Sequence, residues 1–401
     1  MKKIMPNFAR QVKALRAKKG LTQKQMAEFL GCTEANYQKM EYGTTNVPSL
    51  TLIKLADFFN VSLDSLVGRT EGDESMNRIN MGIIGTGNIA AKMADTIFEM
   101  GNVMHYAVSG RSLEKAERFA VEHNLRRAYG SWQELLEDPL VHLVYVATPN
   151  SCHYEHTKQA LLHGKHVLCE KPFTSTAAQA KELLTLAEER GLLLTEAVWT
   201  RYMPFSATLR GLLDRGVVGK IHTLTANLGY PHSHKERLLR PELGGGALAD
   251  IGVYPIHFAL MMLGNEIEQV DSSAILLDTG VDAQSSITLR FASGVMAQLH
   301  CSMLCATDRR GILYGDEGYL VVDNINNPLS AQLFSPTGQL RETYRAPAQI
   351  SGYEYEVDAA VKAIRAGGTE CTQMPHSETL FVMELLDRLR REWGVKYPED
   401  M

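Results

Sequence analysis

Residues 79–90 read Ile-Asn-Met-Gly-Ile-Ile-Gly-Thr-Gly-Asn-Ile-Ala. The first six form a short β-prone run that leads directly into a glycine-rich turn. After the turn, Ile89, Met93 and Ile97 recur every four residues, which predicts one face of a helix. The stretch therefore predicts a strand, a glycine turn and a helix, the opening unit of a doubly wound α/β fold.

Each residue of the turn suits a phosphate-gripping loop. Gly85 permits the tight bend, Gly87 lets backbone N–H groups approach a pyrophosphate, and Ala90 allows close packing of helix on strand. Asn88 and Ile89 begin the helix, whose N-terminus supplies positive potential for an anion. A dinucleotide cofactor is therefore predicted to contact Gly85, Gly87, Asn88 and Ile89.

The alternation of strand and helix patterns continues downstream. Strands are predicted at residues 103–108, 143–147 and 166–170, and helices at residues 112–123 and 154–162. Because strands alternate with helices, residues 78–197 are predicted to form a parallel Rossmann sheet covered on both faces.

The end of the second strand bears on the choice of cofactor. The carboxylate that accepts from the ribose 2′-hydroxyl of NAD is missing, and Ser109, Arg111 and Ser112 stand there instead. A guanidinium and two hydroxyls can hold a 2′-phosphate, which favours NADP over NAD. The alternative is that Arg111 stacks on adenine, which is compatible with either cofactor.

Two further stretches carry polar groups suited to catalysis. Lys171, in Glu170-Lys171-Pro172, follows a predicted strand beside the crevice where a nicotinamide would lie. Downstream of three glycines, Asp250, Tyr254 and His257 follow at i, i+4 and i+7, so on an α-helix they would share one face.

These motifs together resemble the glucose-fructose oxidoreductase and inositol dehydrogenase family over residues 78–401. Besides the glycine turn, the resemblance rests on residues 147–150 with His153, residues 170–172, residues 196–204 and residues 250–254. Tyr254, where inositol dehydrogenases carry His, and Trp199-x-Arg201 are most similar to the dihydrodiol dehydrogenase and glucose-fructose oxidoreductase branch.

The resemblance implies hydride transfer between a nicotinamide and a secondary hydroxyl or ketone of a sugar, cyclitol or vicinal diol. Tyr254 would take the hydroxyl proton, with its pKa lowered from about 10 by the Lys171 ammonium. Lys171 would position the oxygen, and Asp250 would orient the substrate or Lys171, or else act only as a helix N-terminal acid. His257 is either a catalyst or an interior histidine. Cofactor or cleft contacts carried over from the family are Thr148, Asn150, His153, Glu170, Lys171, Trp199 and Arg201, with simple packing as the alternative for Trp199.

Residues 198–401 show longer alternating runs that predict an α+β domain with a large, mostly antiparallel open sheet. Strands are predicted at residues 221–228, 270–277, 283–291, 295–301 and 319–322, and helices at residues 355–366 and 377–393. A sheet with one covered face and one available face supports self-association, so at least a homodimer is expected. The pair His232-x-His234 lacks a further ligand cluster, so no metal is predicted and the loop is assigned to the substrate side.

The N-terminal segment differs in charge from the rest of the chain. Residues 1–70 hold 11 Lys and Arg against 5 Asp and Glu, a net charge of +6, whereas the remainder carries −11. Short helical patterns closed by glycines predict four or five helices within residues 1–68, followed by a linker at residues 69–77.

Residues 1–68 resemble the Cro/repressor type of helix-turn-helix domain. The resemblance rests on Leu21-Thr22-Gln23, Ala27, Glu41-x-Gly43 and residues 48–50 and 61–64. It implies that the third helix lies in the DNA major groove. DNA contacts would then come from Gln23, Thr33, Glu34, Ala35, Gln38 and Lys39. Glu34 departs from the family pattern, because a carboxylate near phosphates is repelled unless it accepts from a cytosine amine. The alternative is a dimerisation or docking module with a solvated basic face.

Composition places the protein among ordinary globular chains. No apolar run approaches the roughly 18–20 residues that a membrane span needs, and the N-terminus lacks the apolar core of a signal peptide, so a cytoplasmic location is expected. Six scattered cysteines are interpreted as reduced thiols. The function predicted is a sugar or diol dehydrogenase with a DNA-binding regulatory domain. The alternative is a transcriptional regulator whose oxidoreductase-like body senses a sugar or redox state.

Overall fold

The computed structural model describes residues 5–59, 61, 63–67 and 78–400. The chain divides into two compact units, Met1–Arg78 and Ile79–Met401. The linker predicted at residues 69–77 lies outside the described residues.

The first unit is all-helical, as predicted. Its helices are α1 (Pro6–Lys18), α2 (Gln23–Leu30), α3 (Glu34–Glu41), α4 (Ser49–Phe59) and α5 (Leu63–Leu66). Thr22 and Thr33 accept the backbone N–H groups of the first turns of α2 and α3, so both helices start where a hydroxyl satisfies an otherwise unpaired donor. Phe8, Met26 and Tyr37 are fully buried between the helices. Their burial stabilises the turn between α2 and α3.

The second unit begins with a six-stranded parallel sheet in the order β3-β2-β1-β4-β5-β6. Its strands are β1 (Ile79–Ile84), β2 (Val103–Ser109), β3 (Arg127–Tyr129), β4 (Leu143–Val146), β5 (His166–Glu170) and β6 (Leu194–Ala197). Its helices are α6 (Asn88–Glu99), α7 (Leu113–Glu122), α8 (Trp132–Glu137), α9 (His153–Leu162) and α10 (Ala177–Arg190). This arrangement confirms the predicted Rossmann fold.

Strand order determines what meets at the carboxyl edge of this sheet. Strands β1, β4 and β5 are parallel neighbours, because Ile84 pairs with Val146 and Val146 pairs with Cys169. The chain leaves them at Gly85, Ala147 and Lys171. The glycine turn and Lys171 therefore lie on one edge, as in other open α/β sheets.

The rest of the second unit is built on an eight-stranded sheet in the order β14-β13-β12-β11-β7-β10-β9-β8. Its strands are β7 (Ile221–Gly229), β8 (Ile267–Leu276), β9 (Asp282–Phe291), β10 (Met296–Ser302), β11 (Gly311–Gly315), β12 (Gly318–Val322), β13 (Ser330–Phe334) and β14 (Leu340–Arg345). All neighbouring pairs are antiparallel except β7 with β10, which confirms the mostly antiparallel sheet.

Six α-helices complete this part of the chain among the residues that the structure describes. They are α11 (Trp199–Tyr202), α12 (Pro204–Asp214), α13 (Glu236–Leu239), α14 (Val253–Leu263), α15 (Glu354–Arg365) and α16 (His376–Trp393). Helix α15 returns to the Rossmann sheet, where Val357, Ala360 and Val361 share a buried core with Met93 and Ile97 of α6. Part of the C-terminal region thus packs against α6 on one face of the Rossmann sheet.

Among the described residues, one helical stretch, Pro241–Leu263, is long and apolar enough to cross a membrane, with a mean hydropathy of 1.5. The expectation that no apolar run approaches that length is therefore wrong for this stretch. However, 78% of its apolar window is buried inside the structure. Such burial is the pattern of a core helix, whose apolar faces are covered by protein.

Candidate active site

The glycine turn has the shape that a dinucleotide phosphate requires. Gly85 has a φ of +120°, and a Cβ there would lie 2.5 Å from the carbonyl oxygen of Ala147, so only glycine fits. At Gly87, by contrast, a Cβ would meet nothing within 4 Å. Gly87 is the N-cap of α6 and has no side-chain capping bond. The first N–H groups of α6 therefore face open space, which fits a pyrophosphate.

The residues predicted to discriminate the cofactors differ in exposure. The carbonyl of Ser109 accepts from the N–H of Gly85 at 3.0 Å, which holds the end of β2 beside the glycine turn. Arg111 and Ser112 are exposed. Ser109 is only 1% exposed, and its Oγ has no hydrogen-bond partner among the described residues. Arg111 and Ser112 are therefore the groups at this strand end that a 2′-phosphate could reach from solvent.

Lys171 stands at a rigid junction between β5 and the following loop. The Lys171-Pro172 peptide bond is cis, and the Lys171 N–H donates to Glu170 Oε2 at 3.1 Å. Burial raises the pKa of Glu170, which also accepts a hydrogen bond from the Tyr145 hydroxyl. These contacts hold the backbone from which the Lys171 side chain projects.

His153 joins the ends of β4 and β5. Its Nδ1 lies 2.9 Å from the carbonyl oxygen of Pro172, and its Nε2 lies 2.9 Å from the carbonyl oxygen of Thr148. The Thr148 hydroxyl lies 3.0 Å from Nδ1 of His156. The side chain of His153 is thus engaged by the protein itself, between the two turns that border the cofactor crevice.

Lys171, Asp250 and Arg237 form a charged cluster. Lys171 Nζ donates to the carbonyl oxygen of Asp250 at 2.7 Å and lies 3.3 Å from its Oδ1. Arg237 lies 3.1 Å from the same carboxylate oxygen. Burial favours the neutral acid, but the two cations outweigh it and hold the pKa of Asp250 well below its usual range. Asp250 is therefore ionised and fixes the position of the Lys171 ammonium.

Tyr254 lies beside this cluster, with Lys171 Nζ 5.0 Å from the centre of its ring. The predicted fall in its pKa is wrong for this structure. Burial raises the pKa of Tyr254 well above its usual value, and the carboxylates of Glu170 and Asp250 add to the rise. The cost of burying a phenolate is larger than the stabilisation from the Lys171 ammonium, because that ammonium is already paired with Asp250. In this structure Tyr254 is therefore a neutral phenol.

The predicted common helical face holds only in part. Leu248–Gly252, which carries Asp250, is a π-helical turn, and α14 begins after it. His257 is fully buried, and neither ring nitrogen has a hydrogen-bond partner among the described residues. Burial lowers its pKa, so it is neutral. Asp250 and Tyr254 reach Lys171, whereas no hydrogen bond connects His257 to them.

The remaining residues carried over from the family make structural contacts. Asn150 Nδ2 donates to the carbonyl of Gly244 at 2.9 Å, which ties the Rossmann part to the glycine-rich loop before Asp250. Trp199 stacks on Tyr353 with ring centres 4.4 Å apart. Arg201 forms an ion pair with Glu378, and its side chain is 9% exposed.

Other residues that organise the site have no local sequence signal. Asp282, in β9, accepts the N–H of Leu248 at 2.6 Å and so caps the π-helical turn that carries Asp250. Burial raises the pKa of Asp282 to about 6. Asn326 accepts from the Trp199 indole N–H at 3.2 Å and donates to the Tyr230 hydroxyl at 3.3 Å. Arg237, Asp282 and Asn326 come from distant segments, and spacing along the chain does not identify them.

In the helical unit, the residues predicted to contact DNA fall into two groups. Four of them are exposed at α3 or its N-cap: Thr33, Glu34, Ala35 and Lys39. Gln23 and Gln38 are half-buried: Gln38 donates to Gln23 at 3.1 Å, and Gln23 donates to Glu41 at 2.8 Å. Glu41 also pairs with Arg16 at 2.5 Å. This network fixes α2 against α3 and leaves the first turn of α3 exposed.

Family models match three stretches of the chain. "Oxidoreductase family, NAD-binding Rossmann fold" matches residues 79–198, "GFO/IDH/MocA C-terminal domain" matches residues 206–321, and "Helix-turn-helix" matches residues 12–66. With the glycine turn and the site at the carboxyl edge of the sheet, these matches define an NAD(P)-dependent oxidoreductase that acts on CH–OH groups.

Curated and solved relatives agree with this class. Trans-1,2-dihydrobenzene-1,2-diol dehydrogenase of Danio rerio is 33% identical over 73% of this chain and 90% of its own length. A scyllo-inositol 2-dehydrogenase (NADP(+)) of Bacillus subtilis is 29% identical over 80% of this chain and 99% of its own. A 3-ketoreductase from Actinomadura kijaniata, solved with NADP and TDP-benzene, has a TM-score of 0.72 and 30% identity, covering 79% of this chain and 98% of its own. The chain belongs to the Gfo/Idh/MocA oxidoreductase family and carries an N-terminal helix-turn-helix domain.

Proposed function

We propose that the protein transfers a hydride between NADP and a secondary hydroxyl or ketone of a sugar, cyclitol or vicinal diol, with Lys171 and Tyr254 as catalytic residues. The observation that carries the proposal is the position of the Lys171 ammonium, 2.7 Å from the Asp250 carbonyl oxygen and 5.0 Å from the Tyr254 ring. An ammonium and a phenol in one partly buried place can hydrogen-bond the same substrate oxygen.

Each group of the chain has a separate role in the proposed reaction. When bound, the cofactor accepts or returns the hydride at the carbinol carbon. Lys171 donates a hydrogen bond to the substrate oxygen and stabilises negative charge that develops there. In ketone reduction Tyr254, a neutral phenol, gives its proton to that oxygen and is left as a phenolate. In oxidation the phenolate takes the hydroxyl proton and the phenol forms again. Asp250 positions Lys171. His257 is assigned to the interior rather than to catalysis.

The preference for NADP over NAD rests on exposed Arg111 and Ser112 at the end of β2. NADP carries a 2′-phosphate, which a guanidinium binds with charge-assisted hydrogen bonds. The acid that would accept from the 2′-hydroxyl of NAD is absent from this strand end. Two relatives named above have NADP in their descriptions, which supports the same choice.

The N-terminal unit is proposed to bind double-stranded DNA through the exposed first turn of α3 and Lys39. We assign residues 1–68 to this domain, residues 78–197 to cofactor binding and residues 198–401 to substrate binding and self-association. A homodimer is proposed through the outer face of the eight-stranded sheet, where Tyr319 stacks on Phe334 at 5.0 Å and lies 5.8 Å from Tyr314. Tyr314 is 37% exposed, and aromatic groups of this kind favour protein contacts.

A substrate panel separates this function from that of a sensor. Full-length protein is assayed for reduction of NADP by aldoses, inositols and trans-diols, and for oxidation of NADPH by the matching ketones. We expect at least one compound to be turned over, and the Tyr254→Phe variant to lose that turnover. If no compound reacts while a DNA duplex binds with steep salt dependence, the oxidoreductase body is a sensor and the catalytic proposal is wrong.

A further inference from the structure

The loop that precedes α13 brings additional cations to the site. Arg237, in α13, contacts Asp250 as described above. Lys235 is half-buried two residues earlier, and its backbone N–H donates to the His232 carbonyl at 2.9 Å. Burial lowers the pKa of Lys235. The charges of Arg237, Lys171 and Lys92 lower this pKa further, whereas the carboxylate of Asp250 raises it. Lys235 thus lies two residues before Arg237, whose guanidinium contacts the carboxylate that also holds Lys171.

The acids next to Lys235 are paired with other cations: Glu236 pairs with Arg240, and Asp250 pairs with Lys171 and Arg237. The Lys235 ammonium has no hydrogen-bond or ion-pair partner among the described residues. A half-buried ammonium without a counter-charge is costly, so an anion that binds there relieves the cost.

Arg309 is an exposed cation beside Tyr230. The Arg309 guanidinium lies 5.8 Å from the centre of the Tyr230 ring and has no carboxylate partner among the described residues. Tyr230 stacks on His232, with ring centres 5.2 Å apart. Nδ1 of His232 is buried, and it likewise lacks a partner in the described part of the chain. Three polar groups near Tyr230 thus have no hydrogen-bond partner among the described residues: those of Lys235, His232 and Arg309.

Lys92, Lys235 and Arg309 do not all belong to the cofactor-binding part of the chain. Lys92 belongs to α6, which follows the glycine turn, so its charge is available to the cofactor phosphates. Lys235 and Arg309 come from the substrate-side segments, next to Tyr230, which Asn326 connects to Trp199. Both cations therefore belong to the part of the chain assigned to substrate binding, and Arg309 lies 5.8 Å from the centre of the Tyr230 ring.

We propose that the substrate is a sugar that carries an anionic group, a carboxylate or a phosphate, bound by Lys235 and Arg309 with His232 as a further hydrogen-bonding residue. The inference rests on the proposed oxidoreductase function and specifies its substrate class. Lys171 and Tyr254 act on the reacting hydroxyl, and the anionic group lies on another carbon of the sugar. Hydrogen bonds to a charged partner are stronger than neutral ones, so losing either cation weakens binding about tenfold or more.

The test is calorimetric titration of NADP-loaded, full-length protein with D-glucuronate, D-glucose 6-phosphate and D-glucose. We expect one of the two acidic sugars to bind at least about tenfold more tightly than D-glucose. The preferred acid identifies carboxylate or phosphate as the recognised group. Lys235→Gln and Arg309→Gln should each weaken binding of that acid about tenfold and leave the affinity for D-glucose unchanged.

Arg240→Gln is the matched control, because Arg240 is an exposed neighbour of the loop that pairs with Glu236 and Glu242 instead. It should bind the acid as the wild type does. The inference is overturned if neither acid binds more tightly than D-glucose, or if all three variants behave alike. Because the readout is binding, the anion site is tested separately from catalysis. If an acid binds through Lys235 but is not oxidised, the proposed catalysis is contradicted and the anion site is supported. If neutral sugars are turned over and no acid is preferred, the proposed catalysis is supported and the anion site is contradicted.

Discussion

The ammonium of Lys171 lies 2.7 Å from the backbone carbonyl oxygen of Asp250 and 3.3 Å from its carboxylate. One residue comes from the end of a Rossmann strand and the other from a π-helical turn about 80 residues later, so the pair joins the cofactor crevice to the substrate side. The contact with a carbonyl oxygen, which cannot change its charge, holds the ammonium at one place.

Replacing Lys171 with Met should remove the donor to the substrate oxygen and keep most of the side-chain volume. We expect kcat to fall by roughly 100-fold to 10,000-fold, the usual scale for a lost proton or oxyanion partner. Cofactor affinity, measured by NADPH fluorescence, should change little, because the phosphate-binding turn is remote in sequence and separately built. A variant that keeps wild-type kcat would remove Lys171 from the mechanism.

Tyr254→Phe deletes one hydroxyl from a buried ring. Because the ring still packs against Lys171, the midpoint of thermal unfolding should move little, whereas kcat for ketone reduction should drop by roughly 100-fold or more. Tyr353→Phe is a matched control, since Tyr353 is the ring stacked on Trp199 and is not assigned a proton-transfer role. Equal losses in both variants would point to packing rather than proton transfer.

Asp250→Asn should destabilise the protein in a pH-dependent way. The variant leaves Lys171 and Arg237 without a counter-charge, which costs on the order of 3 kcal/mol at neutral pH. Because the folded-state pKa of Asp250 is lowered, its contribution is present above the unfolded pKa of about 3.9 and is lost as the pH falls further. Urea unfolding from pH 7 downwards should show the difference from wild type shrinking at acid pH.

The control for that measurement is Asp214→Asn, which removes an exposed carboxylate paired with Arg210 on the surface. Its effect on the free energy of unfolding should stay below about 1 kcal/mol at every pH. If Asp250→Asn behaves like this control, the ion pair with Lys171 does not form in solution.

Arg111→Gln should reduce discrimination between the two cofactors. Loss of the guanidinium removes a charge-assisted contact to the 2′-phosphate, so KM for NADP should rise about tenfold while KM for NAD stays the same. Arg118→Gln provides the comparison, because Arg118 is also exposed nearby on α7 but pairs with Glu114. A wild-type protein that uses NAD more efficiently than NADP would contradict the cofactor assignment.

Two substitutions in α3 test the DNA proposal with opposite signs. Lys39→Gln should weaken binding of the full-length protein to a random-sequence duplex and lower the salt slope by about one, as expected for one lost phosphate contact. Glu34→Gln removes a charge that phosphates repel, so affinity should increase. Fluorescence anisotropy over a salt series measures both. If neither substitution changes the affinity for DNA, the DNA proposal is contradicted and protein docking becomes the favoured role of the helical unit.

Sequence patterns predicted the parts of the molecule that depend on local geometry. The glycine turn is one, because Gly85 and Gly87 are needed wherever a strand bends tightly into a phosphate-facing helix. The short helices of the N-terminal segment are another, because their apolar spacing and closing glycines depend on a few neighbouring positions. Strands β3, β6, β11, β13 and β14 escaped prediction. They are short or exposed, and only pairing with their neighbours makes them strands.

The sequence by itself determined the order of domains, the alternation of strands and helices, and the residue types at the site, since each depends on neighbours within a few positions. Tertiary structure decided which of those residues meet. It placed Asp250 and Arg237 against Lys171, enclosed His257, and buried Tyr254 so that its pKa rises rather than falls. The physical reason is desolvation: the cost of a buried charge depends on everything packed around it, which spacing along the chain does not record.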